Sequence, residues 1–376
     1  TILQTGQSST ETVNVKCHNL KIQEISETSY RRGHKWNIQK EADVYRLILP
    51  KNVSYPIKYE ITAFADGAVD SDWQIGGEVS ILNPHPARSA EIAEISDNLS
   101  EDGSVDIDCG NLASIPAGNS AICRYQKHLS SGNAQINTAK AMLRNFNFHP
   151  RKEPVPLGST EFAQQTLVIF GEPSEQIDEQ ASITDSLAGD LGIISASESP
   201  KTFSYSSEVI FDNESSCGSQ VFSSTASITA EDSGLTASDT SDVEVFVSCG
   251  SGCVHTSGFW KNHVESWPSI GDWDFDLISE QEDEDLAFHN SWLNVFNTAP
   301  KGNIWVQLAH QWMTAYLNAL NGADISALGA SLNDAWSWLD GHSGVTVKSS
   351  SSPQAKSWLQ LFSGYNQGLL GPDFCE

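Results

Sequence analysis

The chain has 376 residues, with 48 acidic against 21 basic side chains and a formal net charge of −27. Phosphate backbones and anionic lipid surfaces are held by basic faces, so this balance argues against nucleic acid or an anionic membrane as partner. Charged residues make up only 18%. The remaining polarity is Ser, Thr, Asn and Gln, which suits exterior β structure more than a cytosolic enzyme, and no run of about 18 apolar residues is present to span a membrane.

Residues 1–26 read as an N-terminal strand segment. Val13, Val15 and Cys17 recur at period two, followed by Leu20 and Ile22. The first residue is Thr rather than Met, which fits a processed mature chain. Residues 27–149 read as a first β-sandwich module. The strands Trp36-Asn37-Ile38, Tyr55 to Ile61 and Trp73 to Ile81 alternate apolar with polar. Asp66-Gly67, Asn83-Pro84 and Pro116-Ala117-Gly118-Asn119 are expected as turns.

Residues 150–250 repeat the scheme as a second module, beginning at the join Pro150 to Pro156. Ser96-Asp97-Asn98-Leu99 matches Thr184-Asp185-Ser186-Leu187. Cys123-Arg124-Tyr125 matches Phe203-Ser204-Tyr205, and Asn137-Thr138-Ala139 matches Ser224-Thr225-Ala226. Near-constant offsets of this kind mark one module type used twice.

Residues 251–376 change period. Ile304, Leu308, Trp312, Ala315 and Ala319 mark one face of a helix closed by Asn321-Gly322. A second helix is expected over Ile325 to Leu339, and a third from Pro353, ending at Gly364. Nine of the eleven tryptophans lie beyond Gly252. The fold expected is mainly β with a C-terminal α domain: two tandem immunoglobulin-like β-sandwiches, then a small disulfide-closed helical module.

The seven cysteines fall into regional pairs with no zinc-type spacing. Three intramodule disulfides are expected, Cys109–Cys123, Cys217–Cys249 and Cys253–Cys375, in an oxidising compartment. Cys17 is left over, unpaired or intersubunit.

The stretch Gly252 to His263 resembles the C-T-x-T-x-G-Y-W-K-x-H opening of a C-terminal module in secreted bacterial surface and matrix proteins. Phe259 stands at the family's Tyr and Asn262 at the variable position. The closing stretch Tyr365 to Cys375 resembles that module's Y-N-x-G-x-x-G-P-x-x-C ending. The β modules resemble the same family's sandwich repeats through Asp70 to Gly76, Asn83-Pro84, Pro116 to Gly118 and Thr225 to Gly234. The family's additional cysteine pair is missing on both sides of its Asp-Ser-Leu segment here.

Little in the sequence points to a reaction centre. No nucleophile elbow, His-Glu-x-x-His, P-loop or dinucleotide fingerprint occurs, so no catalytic residue and no enzyme activity is expected. The histidines beyond Gly252 (His255, His263, His289, His310 and His342) match no short metal motif. The acidic run Asp272 to Asp285 and the Asp70-Ser71-Asp72 turn carry a weak Ca2+ reading against a stronger one as solvated loops. Trp305, Trp312, Trp336 and Trp338 read as helical core, which leaves Trp267 and Trp273 as candidate glycan contacts. Asn52, Asn98 and Asn213 fit the N-glycosylation sequon.

The resemblance and the residues together imply a secreted, extracellular structural protein of the cell surface or matrix. Its partner would be itself, as a head-to-tail homopolymer in which an N-terminal strand carrying Val13 and Val15 completes a neighbour's sheet. The alternative is a monomeric adhesin or glycan-binding protein that uses the Trp-rich helical module.

Overall fold

The computed structural model describes residues 17–149, 151–268, 292–342 and 345–375. In chain order its strands are β1 (Lys21–Ala42), β2 (Arg46–Pro50), β3 (Tyr55–Leu82), β4 (Ala90–Leu99), β5 (Gly103–Val105), β6 (Ile107–Asp108), β7 (Ser114–Ile115) and β8 (Ser120–His128). They continue with β9 (Gln135–His149), β10 (Lys152–Val168), β11 (Glu175–Ile177), β12 (Gln180–Asp185), β13 (Gly189–Ser195), β14 (Lys201–Val209), β15 (Gly218–Ala230) and β16 (Thr236–Ser248). Five α-helices follow among the described residues: α1 (Ser257–Asn262), α2 (Trp292–Asn297), α3 (Ile304–Leu320), α4 (Ser331–Asp340) and α5 (Pro353–Asn366). The chain is therefore mainly β with a C-terminal helical region, as its periodicities predict.

Its compact units do not follow the chain sequentially. One takes the chain up to Lys35 with Asp66–Glu179; the other takes Trp36–Ala65 with the chain from Gln180. The reason lies in β1 and β3, which are 22 and 28 residues long. Asp66-Gly67, expected as a turn, lies inside β3, where Gly67 takes a φ of 78° that glycine adopts without strain and the strand continues. The join Pro150 to Pro156 is not a boundary either. Its described residues, 151–156, lie at the tip of the antiparallel β9–β10 ladder, with register shifts around Pro154 and Pro156.

The first unit is sandwich-like. The order β11-β1-β3-β8-β6 faces β10-β9-β4-β5 across a core of Leu20, Ile75, Val79, Ile81, Leu99, Ile115 and Ala141. Alternation supplies this core, because every second residue of a strand points to the same face. The second unit packs β14 and its parts of β1 and β3 against β13-β12-β15-β16-β2. Its cores hold Ile38, Ile61, Ile183 and Ile228, and Leu47, Tyr59, Val243 and Val245. The sequence repeat has a counterpart in strand pairing: Asp97 lies opposite Ala139 as Asp185 lies opposite Ala226.

The helical region belongs to the second unit. Ile48 of β2 enters the helical core, and the Asn333 side chain brackets it, accepting from the Ile48 N–H (2.9 Å) and donating to its carbonyl (2.8 Å). The α3 helix is the hub. Beyond the expected stripe, Val306, Ala309, Met313 and Leu317 are also buried, so burial extends around most of the helix, with Gln307, His310 and Gln311 partly exposed. Asn303 caps it by accepting from the Trp305 N–H at 3.0 Å. The helix expected over Ile325 to Leu339 is split: Ser326–Leu328 is a 3-10 turn, Gly329 sits at φ 54°, and α4 starts at Ser331. α5 runs past Gly364, whose missing side chain makes room for Leu370 rather than ending the helix.

Candidate functional site

The most open backbone in the first unit is β10. It ends its sheet, and among the described residues no strand pairs its outer edge. Nearly every residue along it is exposed, including Val155 (57%), Leu157 (65%) and Leu167 (64%). A long edge with exposed apolar side chains is the kind of surface that recruits another strand. Natural edges are usually blunted by charge or proline; here Pro154 and Pro156 lie at one end, and the mid-strand Glu161 is paired with Lys140 at 3.0 Å.

A groove of about 1050 Å3 lies where β4 begins and β9 ends, with His18, Leu20, His85, Arg88, Arg144 and Phe148 among its walls. Asn83 shapes it. Its Oδ1 accepts from the His85 N–H (3.0 Å), and its Nδ2 donates to the carbonyls of Arg88 (2.8 Å) and Ile115 (3.0 Å). His85 Nδ1 accepts from the N–H groups of Ala87 and Arg88, which leaves the ring proton on Nε2. The Arg88 guanidinium covers the Phe148 ring at 3.9 Å, and the His18 and His85 rings are 4.8 Å apart. The groove is thus cationic and aromatic in a strongly acidic chain. It can offer guanidinium donors to carbonyl or carboxylate oxygens and apolar surface to a side chain.

Each expected site residue has a definite place. The three disulfides, Cys109–Cys123, Cys217–Cys249 and Cys253–Cys375, are formed, and Cys17 is free and exposed one residue before His18. Val13 and Val15 lie outside the described residues, as do Trp273, His289 and the acidic run Asp272 to Asp285. Asn52, Asn98 and Asn213 are all exposed. Asp70 to Asp72, expected in a turn, lie inside β3, and both carboxylates face guanidinium groups, Asp70 with Arg32 at 2.7 Å and Asp72 with Arg31 at 3.4 Å. The bond from Arg32 holds the Asp70 carboxyl below its usual range. Trp267 is half-buried. Its indole N–H donates to the Trp260 carbonyl (2.8 Å) and its ring meets Trp292 and Phe296 edge-on.

In the helical region one residue ties the two signature stretches together. Asn318 of α3, fully buried, accepts at Oδ1 from the His255 N–H (2.9 Å) and the Trp260 indole N–H (3.0 Å). Its Nδ2 donates to the His255 carbonyl (2.9 Å) and to Asn366 Oδ1 (3.2 Å). The opening and closing stretches also bond directly, Val254 N–H to the Asp373 carbonyl and Cys375 N–H to the Val254 carbonyl. Burial lowers the affinity of His255 and His310 for a proton, aided by His263 and Lys261 respectively; the Val295 carbonyl partly opposes this at His310. Among the described residues no three His, Cys, Asp or Glu side chains gather in a metal-holding group.

No family model matches the chain, and no curated protein matches it. Its function therefore has to be argued from its own residues. Sequence reasoning missed β10 as an open edge because Pro154 and Pro156 read as a linker. It missed Asn318 because one Asn in an apolar helix carries no pattern.

Proposed function

We propose that the chain is a secreted structural protein of the cell surface or extracellular matrix, the subunit of a filament assembled head to tail by N-terminal strand donation. The open edge of β10, with its exposed Val155, Leu157 and Leu167, carries this reading. A donated strand gains affinity from main-chain hydrogen bonds and register from alternate side chains. The segment Thr10 to Lys16 alternates in that way, and Val13 and Val15 are the side chains that would fill a neighbour's surface. A contact between two different surfaces of one chain propagates into a filament instead of closing as a dimer. Three disulfides and the absence, among the described residues, of a helix long and apolar enough to cross a membrane support an extracellular setting.

Deleting residues 1–16 tests the reading, with negative-stain imaging and light scattering for assembly and near-UV circular dichroism for folding. The expected outcome is a folded chain that no longer polymerises. Polymers identical to those of the full chain would end the strand-donation idea. Loss of folding would assign the segment to its own sandwich.

A further inference from the structure

Each unit buries one polar corner, and the two corners are built on matching strands. In the second unit the four residues are Lys40 of β1, Asp185 of β12, Tyr205 of β14 and Ser224 of β15. Lys40 Nζ donates to Asp185 Oδ2, to Ser224 Oγ and to the Tyr205 hydroxyl (2.8 Å), and Tyr205 donates to Asp185 Oδ1 (2.8 Å). The Lys40 and Asp185 side chains are wholly buried. In the first unit the four are Glu24 of β1, Asp97 of β4, Tyr125 of β8 and Asn137 of β9. Asn137 Nδ2 donates to Glu24 Oε1 and to Asp97 Oδ2 (3.0 Å), Tyr125 donates to Glu24 Oε1 (2.8 Å), and the Asn98 N–H donates to Asp97 Oδ1 (3.0 Å). The place that holds an ammonium in one corner holds a second carboxyl in the other.

That exchange leaves the first corner with one cation too few. Asp97 is 2% exposed, and Glu24 Oε2 is buried with no hydrogen-bond partner. Among the described residues, the side chains that bond Asp97 and Tyr125 are Asn137 and Glu24, neither of them a cation. The shallow groove outside Tyr125 adds Glu27, Glu78, Asp106 and Asp108; its one cation, Arg124, pairs with Glu78 at 2.9 Å. Two carboxylates beside each other in a desolvated site do not both ionise at low cost. A proton on Asp97 would remove its buried charge.

We propose that Asp97, buried on the same Asn137 amide as the Glu24 carboxyl, holds a proton in the folded chain and that this proton fastens the start of β1 to its sandwich, so that the first unit tightens as pH falls. Burial pushes the Asp97 carboxyl above its usual range, Glu24 adds to this, and the donors Asn137 and Asn98 oppose it. A raised folded value contributes stability that is complete at and below the usual carboxylate range and is lost as pH rises through the folded value. Tyr125, pushed upward by burial and by Glu24, keeps its proton throughout. The Lys40 corner has the opposite sign. Burial of Asp185 is outweighed by bonds from Lys40, the Ala188 N–H, Tyr205 and the Leu187 N–H, which leaves it below the usual range.

This is a property of the single chain and stands whether or not the chain assembles. Hydrogen exchange of the full protein between pH 4.5 and 7.5, corrected for the intrinsic rate, tests it. Protection of the amides of residues 21–26 is expected to fall as pH rises from the usual carboxylate range to the folded Asp97 titration, by up to about tenfold per pH unit, the slope of one proton released on opening, and to level off above it. Asp97→Asn is expected to flatten that slope, and Asp97→Ser to do the same if the first variant does not fold. Amides of residues 36–42, beside Lys40, are expected to gain no protection on acidification. Wild-type protection independent of pH, or a folded variant that keeps the wild-type slope, would overturn the proposal.

Discussion

Lys40 is a long, strongly hydrated side chain placed where water does not reach, and it is stable there only because Asp185, Tyr205 and Ser224 surround its ammonium. Lys40→Met is expected to leave the Asp185 carboxylate buried without its counter-charge and to cost about 3–5 kcal/mol, read as a lowered urea midpoint. Lys40→Met combined with Asp185→Leu is expected to recover most of the loss, because an apolar pair of similar volume needs no hydration. The wild-type corner also has a pH signature. The Asp185 contribution is present above the ordinary carboxylate range and is lost as pH falls through its lowered folded value. Melts of the double variant are expected to lack that acid-side loss.

At the scale of elements, the disulfides close loops of very different length. Cys253–Cys375 joins positions 122 residues apart, whereas Cys109–Cys123 joins positions 14 apart. Constraint of the unfolded chain grows with the logarithm of the loop, so the longer link is expected to contribute about 4–5 kcal/mol and the shorter about 3 kcal/mol. Cys253→Ser with Cys375→Ser should lower the denaturant midpoint, followed by tryptophan fluorescence, more than Cys109→Ser with Cys123→Ser lowers that of the first sandwich. These pairs were legible in the sequence because each falls inside one periodicity. So were the start of α5 at Pro353 and the end of α3 near Gly322. The lengths of β1 and β3 were not, since Asp66-Gly67 has the composition of a turn and only its neighbours in space decide between a turn and a bulge. Glu24 and Lys40, 16 residues apart on one strand, gave no signal either. Their roles depend on Asp97 and Asp185, distant in sequence.

For the molecule as a whole, β10 leaves a long sheet edge without a partner strand among the described residues, and the function proposed turns on what covers it. Leu157→Lys with Leu167→Lys places two charges on the outward side of β10, where both residues are exposed. Exposed substitutions shift stability by about 0.5 kcal/mol or less. The variant is therefore expected to melt like the wild type while losing filaments under negative stain, since edge lysines discourage strand addition. Filaments of wild-type length would place the acceptor edge elsewhere on the chain.

The bond between Cys253 and Cys375 also bears on the response to proteolysis. Any single proteolytic nick between these residues leaves both pieces covalently attached, and Asn318 still holds the two signature stretches to one helix. A nicked molecule would migrate as one band on a non-reducing gel and as two after reduction. For the helical region, peptide-bond integrity and structural integrity are thus separate properties.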